Sequence, residues 1–399
     1  MIPQVKVNDE IFLDIKRIGI NGEGIGYYKR QAIFVPGVLP KENVKVKIVK
    51  VNGGYAEGEI VEIKTKSPDR CDHFCDYYTK CGGCNIQHLN YEASGAMKRD
   101  LLMEAITRYT KLNPRSFEVK PTIIMKDPMH YRAKVNMPVR NGIHGVVFGL
   151  YAPNSEKFVR IKNCGIQNEV INEVVYEVGK ALDKLVIKAY DGKEKKGYVR
   201  YLVVRSSVYN KETQVSFILD KKLPLMDELA KEVMKIKNVV SVYYSINSDD
   251  EDPMIFGKDI IKVAGKDSIT EKLGDYYYNL LPNSFFQLNP VQAKVLYDAM
   301  IYQIAKQVGS MFPSVYHNCR KKQGHRRKFR RCPLSFAYKQ NAKSAGATVT
   351  GNRATGCGFI HGLKIAIFLY GCHDGSIFLV GHAGLGNKQH ITTDILPVC

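Results

Sequence analysis

Between Asp298 and Asp374 the chain has no acidic residue, and no glutamate follows Glu271. The last quarter therefore offers no glutamate as a general base, and it cannot balance its own cations. Residues 299–399 carry 14 Lys+Arg against 2 Asp+Glu, so +12 of the net charge of +20 sits there. Also missing is a charged amino-terminal region followed by an apolar stretch, which argues against a signal peptide. No apolar run reaches the length of a membrane span. The most apolar segment, Ile360 to Tyr370, is interrupted by His361, Gly362 and Lys364. No internal repeat is found. These absences leave a chain expected in the cytoplasm, with reduced thiols and no membrane partner. At 399 residues it is too long for one core.

The blocks that are present differ in pattern. Residues 1–66 contain short alternating runs, Ile11–Ile18, Gln31–Val35, Val44–Val51 and Tyr55–Ile63, separated by Gly22-Glu23-Gly24, Pro36-Gly37 and Gly53-Gly54. Such spacing predicts a small β-barrel. Its turns carry Lys16, Arg17, Lys29 and Arg30, which suit either a phosphate backbone or ordinary solvent. Residues 67–90 form a cysteine-rich loop. In 91–112, Ala93, Met97, Leu101, Leu102, Ala105 and Ile106 recur at helical spacing. Across 113–278 strands (145–151, 199–205, 213–219, 239–246) alternate with helices (168–185, 225–236), predicting a mixed α/β domain. Another helix is expected over 293–308. From 309 to 399 no fold signal is found. Arg320 to Arg331 holds eight basic residues in twelve, a segment expected to be solvated unless it meets a polyanion.

Four cysteines, Cys71, Cys75, Cys81 and Cys84, fall close together, and Cys164 stands alone further on. Cys75-x5-Cys81-x2-Cys84 with one distant cysteine can surround a cuboidal iron–sulfur cluster, and Gly82-Gly83 lets backbone approach the sulfides. Tetrahedral zinc competes, since Cys81-x-x-Cys84 is also a zinc-knuckle spacing. Free thiols are a third reading. Cys75 fits the spacing better than Cys71, which remains the spare.

These residues carry a family resemblance. Gly22-Glu-Gly-Ile-Gly-Tyr-Tyr28 and Ile33-Phe-Val-Pro-Gly-Val-Leu-Pro40 resemble a TRAM barrel. Cys75-x5-Cys81-Gly-Gly-Cys84-x-x-Gln87-His88, Ile161-Lys-Asn-Cys164-Gly-Ile-Gln167, Tyr131-Arg132-x-Lys134 and Phe285-Phe286-Gln287-Leu288-Asn289 match four further signatures. Over residues 5–308 the chain resembles the TRAM-domain, iron–sulfur 23S rRNA (uracil-5-)-methyltransferases. The resemblance implies a multidomain α/β protein with an OB-like TRAM barrel, a central RNA-binding domain (113–278) and, at 279–308, the start of a Rossmann-like methyltransferase domain. The helix at 91–112 would pack with the catalytic region. It further implies a 4Fe–4S cluster on Cys75, Cys81, Cys84 and Cys164, S-adenosyl-L-methionine as cofactor with Gln287 contacting it, and RNA, foremost 23S rRNA, as partner. Arg132 and Lys134 are candidate RNA contacts. A monomer is expected.

In that family a cysteine thiolate adds to C6 of a flipped-out uracil, C5 takes the methyl group and a base removes the C5 proton. The chain departs from the family where that chemistry should lie. No Asp-x-Tyr-Cys-Gly-x-Gly loop, Asp-Pro-Pro motif, Ser-Cys-Asn-Pro nucleophile loop or terminal Glu follows residue 308. Gly356-Cys357-Gly358 is a lone triplet, and Cys319, Cys332, Cys357, Cys372 and Cys399 lack the nucleophile's context. No catalytic residue is therefore assigned. Three explanations compete for the tail: a reading frame displaced near residue 308, which accounts best for its composition, a genuine basic extension, or a divergent methyltransferase whose motifs are not recognised; poor order is expected over 309–399. A catalytically inactive family member is the main reading, and a non-enzymatic iron–sulfur RNA-binding protein is the alternative.

Overall fold

Strict alternation of apolar and polar residues builds the first domain. The computed structural model describes residues 4–249 and 254–311, with side chains to 303, and three short strands beyond them. β1 (Glu10–Ile18), β2 (Gly24–Tyr28), β3 (Gln31–Val35), β4 (Asn43–Val51) and β5 (Tyr55–Thr65) close into a barrel in the order β1-β2-β3-β5-β4. Ile11, Leu13 and Ile15 of β1 and Val44, Val46 and Ile48 of β4 point inward, while Phe12, Asp14 and Lys16 face out. A period of two buries one face of each strand. The first glycine-rich stretch has the local pattern of a turn, but Gly24 and Gly26 belong to β2. A Cβ at Gly24 would stand 2.4 Å from Val38 Cγ2, and one at Gly26 2.5 Å from Leu13 Cγ. Glycine is needed here for close approach of β1 and the 36–39 turn, not for chain reversal.

Below the barrel a buried ion pair fastens the next segment. The Glu42 carboxylate accepts from Leu39 N at 2.8 Å, Ser67 N at 3.1 Å and Arg70 Nε at 2.6 Å and Nη2 at 2.9 Å. Arg70 Nη2 also donates to the Gly37 carbonyl. α1 (Tyr91–Tyr109) follows, capped by Asn90, whose side chain accepts from Glu92 N. Its Ala93 and Met97 pack on Ile18, Leu39 and Leu89. Leu102 and Ile106 pack on Phe117 and Val119 instead, so one stripe serves two neighbours.

The central domain is a seven-stranded sheet in the order β12-β11-β10-β9-β6-β7-β8. It comprises β6 (Lys134–Gly142), β7 (Gly145–Tyr151), β8 (Phe158–Arg160), β9 (Val199–Ser206), β10 (Thr213–Leu219), β11 (Val239–Ile246) and β12 (Ile260–Gly265). Only the β10–β11 pair is parallel. α2 (Glu169–Lys184) and α3 (Met226–Val233) cover one face. Ile171, Val174, Val178 and Leu182 of α2 share a core with Leu202, Val204, Val215 and Phe217. β13 (Ile269–Leu273) and β14 (Tyr276–Leu280) form a hairpin, and α4 (Pro290–Met311) begins at Asn289, whose side chain accepts from Gln292 N. Asparagine at the cap and proline at the first helical position account for that start.

β15 (Thr348–Val349) pairs with β14, and β16 (Phe368–Gly371) pairs with β17 (Ile377–Val380). The remainder of the expected tail, with its cysteines and the Gly-x-Gly triplet, lies outside the described residues. The fold class read from the sequence, a small barrel followed by mixed α/β, is the one found, and β2 is the barrel strand that the four alternating runs left out.

Gly149 on β7 is a position with no room for a side chain. A Cβ there would meet the Val159 carbonyl oxygen at 2.1 Å and the Phe158 ring at 2.7 Å. Gly149→Ala is expected to part β8 from β7 and to destabilise by about 1–3 kcal/mol, read as a lowered urea midpoint. An unchanged midpoint would show that β8 adjusts freely.

Candidate functional site

Short turns fold the cysteine loop onto the edge of the sheet. Tyr78 N donates to the Cys75 carbonyl and Cys81 N to the Tyr77 carbonyl, while Gly82 N reaches Tyr151 O of β7 at 3.0 Å. Across the loop, Tyr77 Oη accepts from Lys162 N, and the Phe74 ring and Met129 Cε both press on Gly165, each 2.9 Å from where a Cβ would stand. Cys164 is held from α2: its N–H donates to Asn172 Oδ1 at 3.2 Å, and Asn172 Nδ2 donates back to its carbonyl at 3.0 Å. The sheet edge and one α2 side chain thus bring the distant cysteine to the loop.

All five of these cysteines are free thiols; Cys71 is exposed and the other four are partly buried. Burial pushes the Cys81, Cys84 and Cys164 thiols up, Cys84 to about 11, and the charges of neighbouring thiols add to it. Cys84 feels Cys164, Cys81 and Cys75, and Cys164 feels Cys75. Charges on Cys75, Cys81 and Cys164 thus bear on the neighbouring buried thiols. Gly83 N donates to Cys81 Sγ at 3.3 Å. Among the described residues, no three His, Cys, Asp or Glu side chains converge closely enough to grip a single ion. The donor set, four thiols with an N–H turned onto sulfur, fits an iron–sulfur cluster in chemistry. Its sulfurs would still have to draw together.

Three other signatures meet beside it. His130 N donates to Gly165 O and Arg132 N to Ile166 O, while Asn168 N returns a bond to Arg132 O. Ala133 N donates to Leu288 O at 2.8 Å. Residues 130–133 are thus laced between the Cys164 segment and the Phe285–Asn289 loop. Tyr131 is buried there, its hydroxyl pushed up by burial, with Cys84 and Cys164 close enough to add to the shift. In the 285–289 loop, Phe286 packs on Tyr278, Gln287 bonds to the Tyr297 hydroxyl and Phe285 stands 64% exposed. Gln287 is the one described member of the implied cofactor set. A single side chain already bonded to Tyr297 does not make an S-adenosylmethionine site, so no step is derived through that cofactor.

The two candidate RNA contacts differ in setting. Arg132 is partly buried, with Nε donating to Lys134 O. Lys134 turns inward: Nζ donates to Pro282 O at 3.0 Å and lies 5.5 Å from the centre of the Phe256 ring. Burial, then the nearby Arg205 charge, pushes its ammonium down to about 7. Sequence reasoning misses Arg205, which looks like any other residue of its strand; only register places it opposite Lys134. On the barrel, Lys16, Lys29 and Arg30 are exposed, whereas Arg17 is paired with Glu104 at 3.0 Å.

The TRAM domain profile matches residues 4–61. A protein of Bacillus anthracis named as an uncharacterized RNA methyltransferase is 39% identical over 297 residues, covering 74% of this chain and 64% of that protein. A like-named protein of Listeria monocytogenes serotype 4b is 40% identical over 288 residues, covering 71% and 62%. This chain thus spans somewhat under two thirds of the length of these relatives. Among solved structures, the tRNA (uracil-54, C5)-methyltransferase of Pyrococcus abyssi, in complex with S-adenosyl-L-homocysteine, superposes with a TM-score of 0.54 at 23% identity, over 72% of this chain and 64% of that one. That likeness is one of fold.

Proposed function

The chain is a TRAM-domain homologue of RNA methyltransferases, and from that premise we propose that it carries the RNA-gripping part of an S-adenosylmethionine-dependent uracil-C5 methyltransferase of 23S rRNA. The observation that carries this reading is the lacing of residues 130–133 between the Cys164 segment and the 285–289 loop. Segments far apart in sequence are joined by backbone hydrogen bonds beside the thiols, which suits the base of a substrate platform. The barrel adds exposed cations for sequence-independent backbone affinity. Phe285 offers an exposed ring, and a ring accepts any base by stacking.

Cys75, Cys81, Cys84 and Cys164 would hold a 4Fe–4S cluster. When bound, it supplies iron–thiolate bonds that staple the loop to the sheet edge, and no atom that reacts with RNA. The chain's own part is to keep Cys164 in place through Asn172 and to seat the loop through Gly82 on Tyr151. Anaerobic reconstitution with iron and sulfide is expected to give brown protein absorbing near about 400 nm. Cys81→Ala and Cys164→Ala should abolish that absorbance, and Cys71→Ala should keep it. Protein that takes up zinc and no iron would refute the cluster.

The domain boundaries belong to the same proposal: barrel to 66, cysteine loop to 90, linking helix to 112, RNA-binding α/β domain to 278, then the opening of a methyltransferase domain to 308. Beyond that point the polypeptide carries none of the implied cofactor loop, nucleophile or base, so as it stands it transfers no methyl group. Incubation with S-adenosyl-L-methionine and unmodified 23S rRNA should yield no 5-methyluridine; substantial product would overturn the inactivity. A displaced reading frame predicts that another frame of the gene encodes an Asp-x-Tyr-Cys-Gly-like segment past codon 308.

A further inference from the structure

Two cations face each other inside the central sheet. Lys134 of β6 and Arg205 of β9 are register partners, a placement that destabilises when the charges are alike. Lys134 Nζ donates to the Pro282 carbonyl, and Arg205 Nη2 donates to the Ser284 carbonyl. Neither has an ion-pair partner among the described residues. Arg205 is 4% exposed, and its Nε and Nη1 have no hydrogen-bond partner among the described residues. The acid whose charge Arg205 feels is Glu271, and its carboxylate is already engaged, accepting from Val208 N, Tyr209 N and Lys272 N at 2.8–3.1 Å.

Leaving buried donors unpaired costs about 1–3 kcal/mol apiece, more when they are charged. A site that needed only to be filled would be better served by apolar side chains. One turn accepts from both cations, while the centre of the Phe256 ring stands 5.5 Å from Lys134 Nζ. Buried Pro282 and Ser284 alternate with exposed Leu281, Asn283 and Phe285, and the two carbonyls that occupy the cations are those of this turn. The cations are therefore bonded to a turn whose alternate residues reach solvent, and the exposed Phe285 follows Ser284 directly in the chain.

We infer that Lys134 and Arg205 form a receptor for a phosphate group, and that its ligand is a backbone phosphodiester of RNA next to a base stacked on Phe285. The inference rests on the proposal that RNA is the substrate. A phosphodiester carries enough acceptor oxygens to take the free Nε and Nη1 donors and to share Lys134 Nζ. Guanidinium, planar and weakly hydrated, is the side chain best matched to it. On binding, the phosphate oxygens replace the Pro282 and Ser284 carbonyls as acceptors, and its negative charge offsets the mutual repulsion of the pair.

Fluorescence anisotropy with a labelled oligouridylate, titrated across about 50 to 200 mM KCl, tests this. Arg205→Gln and Lys134→Met are each expected to weaken binding about tenfold at low salt and to flatten the log–log salt slope by about 0.7. Arg205→Lys should keep the slope. Neither neutral variant should melt below the parent protein, whereas a merely structural clamp predicts a lower melting temperature and an unchanged slope, which would overturn the receptor. Two controls separate other anions. If inorganic phosphate raises the parent's melting temperature while the RNA slopes stay unchanged, the site takes free phosphate and the RNA assignment fails. If Arg205→Gln abolishes binding of S-adenosyl-L-homocysteine and leaves RNA untouched, the pair holds a carboxylate instead, and the inference fails. A parent protein that binds no oligouridylate sinks the RNA reading and this inference together, an outcome distinct from RNA binding with unaltered slopes.

Discussion

Replacing Arg70 with alanine is expected to cost about 3–5 kcal/mol, because it strands a buried carboxylate. The Glu42 side chain is 0% exposed, and Arg70 meets it through both Nε and Nη2. Burial pushes the Glu42 carboxyl up, but Arg70 and the N–H groups of Leu39 and Ser67 outweigh it and hold it below the usual carboxylate range. A carboxyl lowered in the fold contributes stability that is complete above its unfolded value and is lost as pH falls through the folded one. Without the guanidinium, burial prevails and the same group opposes folding at neutral pH. Urea unfolding followed by circular dichroism measures the loss. The double variant Glu42→Gln/Arg70→Ala should recover part of it, since the stranded charge is gone and the amide oxygen can still accept from one of the two backbone N–H groups, Leu39 or Ser67. A loss below about 1 kcal/mol would place this pair with ordinary surface ion pairs. The consequence reaches the site, because Arg70 opens the cysteine loop and also holds Gly37 of the barrel.

Lys134→Met is expected to act in the opposite direction. Burial, with Arg205 adding to it, pushes the Lys134 ammonium down to about 7 from the ordinary lysine value of 10.5. A basic group lowered in the fold carries a penalty that is full below the folded value, shrinks as pH rises and vanishes above the unfolded one. Methionine of similar length removes that penalty and gives up one hydrogen bond, to Pro282 O. The net gain expected at pH 7 is about 2–4 kcal/mol, on the basis of 1.36 kcal/mol per pKa unit less roughly 1 for the bond. The advantage should narrow steadily toward about pH 10, as the parent lysine loses its proton. Urea midpoints for both proteins at several pH values decide it, and a variant less stable at pH 7 would show that the Pro282 contact outweighs desolvation. Stability gained at the expense of RNA affinity is the trade expected of a functional position.

Local patterns explain which elements are legible in the sequence. β1 and β4 alternate cleanly, and α2 begins at Asn168 with Ile171, Val174, Val178 and Leu182 on one side. β6 is hidden because Pro138 interrupts it, and β2 because its glycines look like a turn until Val38 and Leu13 are seen to press on them. The cysteine spacing is plain, but the approach of Cys164 depends on Asn172 and on the sheet edge at Tyr151.

By itself, then, the sequence determined a small β-barrel, the mixed α/β domain, the thiol inventory and the break in charge near residue 299, because alternation, helical spacing and composition are properties of neighbouring residues. Only the tertiary structure decided that Glu42 and Arg70 are sealed together, that three distant signatures are hydrogen-bonded to one another, and that half-buried Lys134 and buried Arg205 are register partners. A charge in a strand reads as solvent-facing until long-range pairing covers it. The free energy of a charge is set by what surrounds it, and those surroundings come from segments the local pattern does not contain.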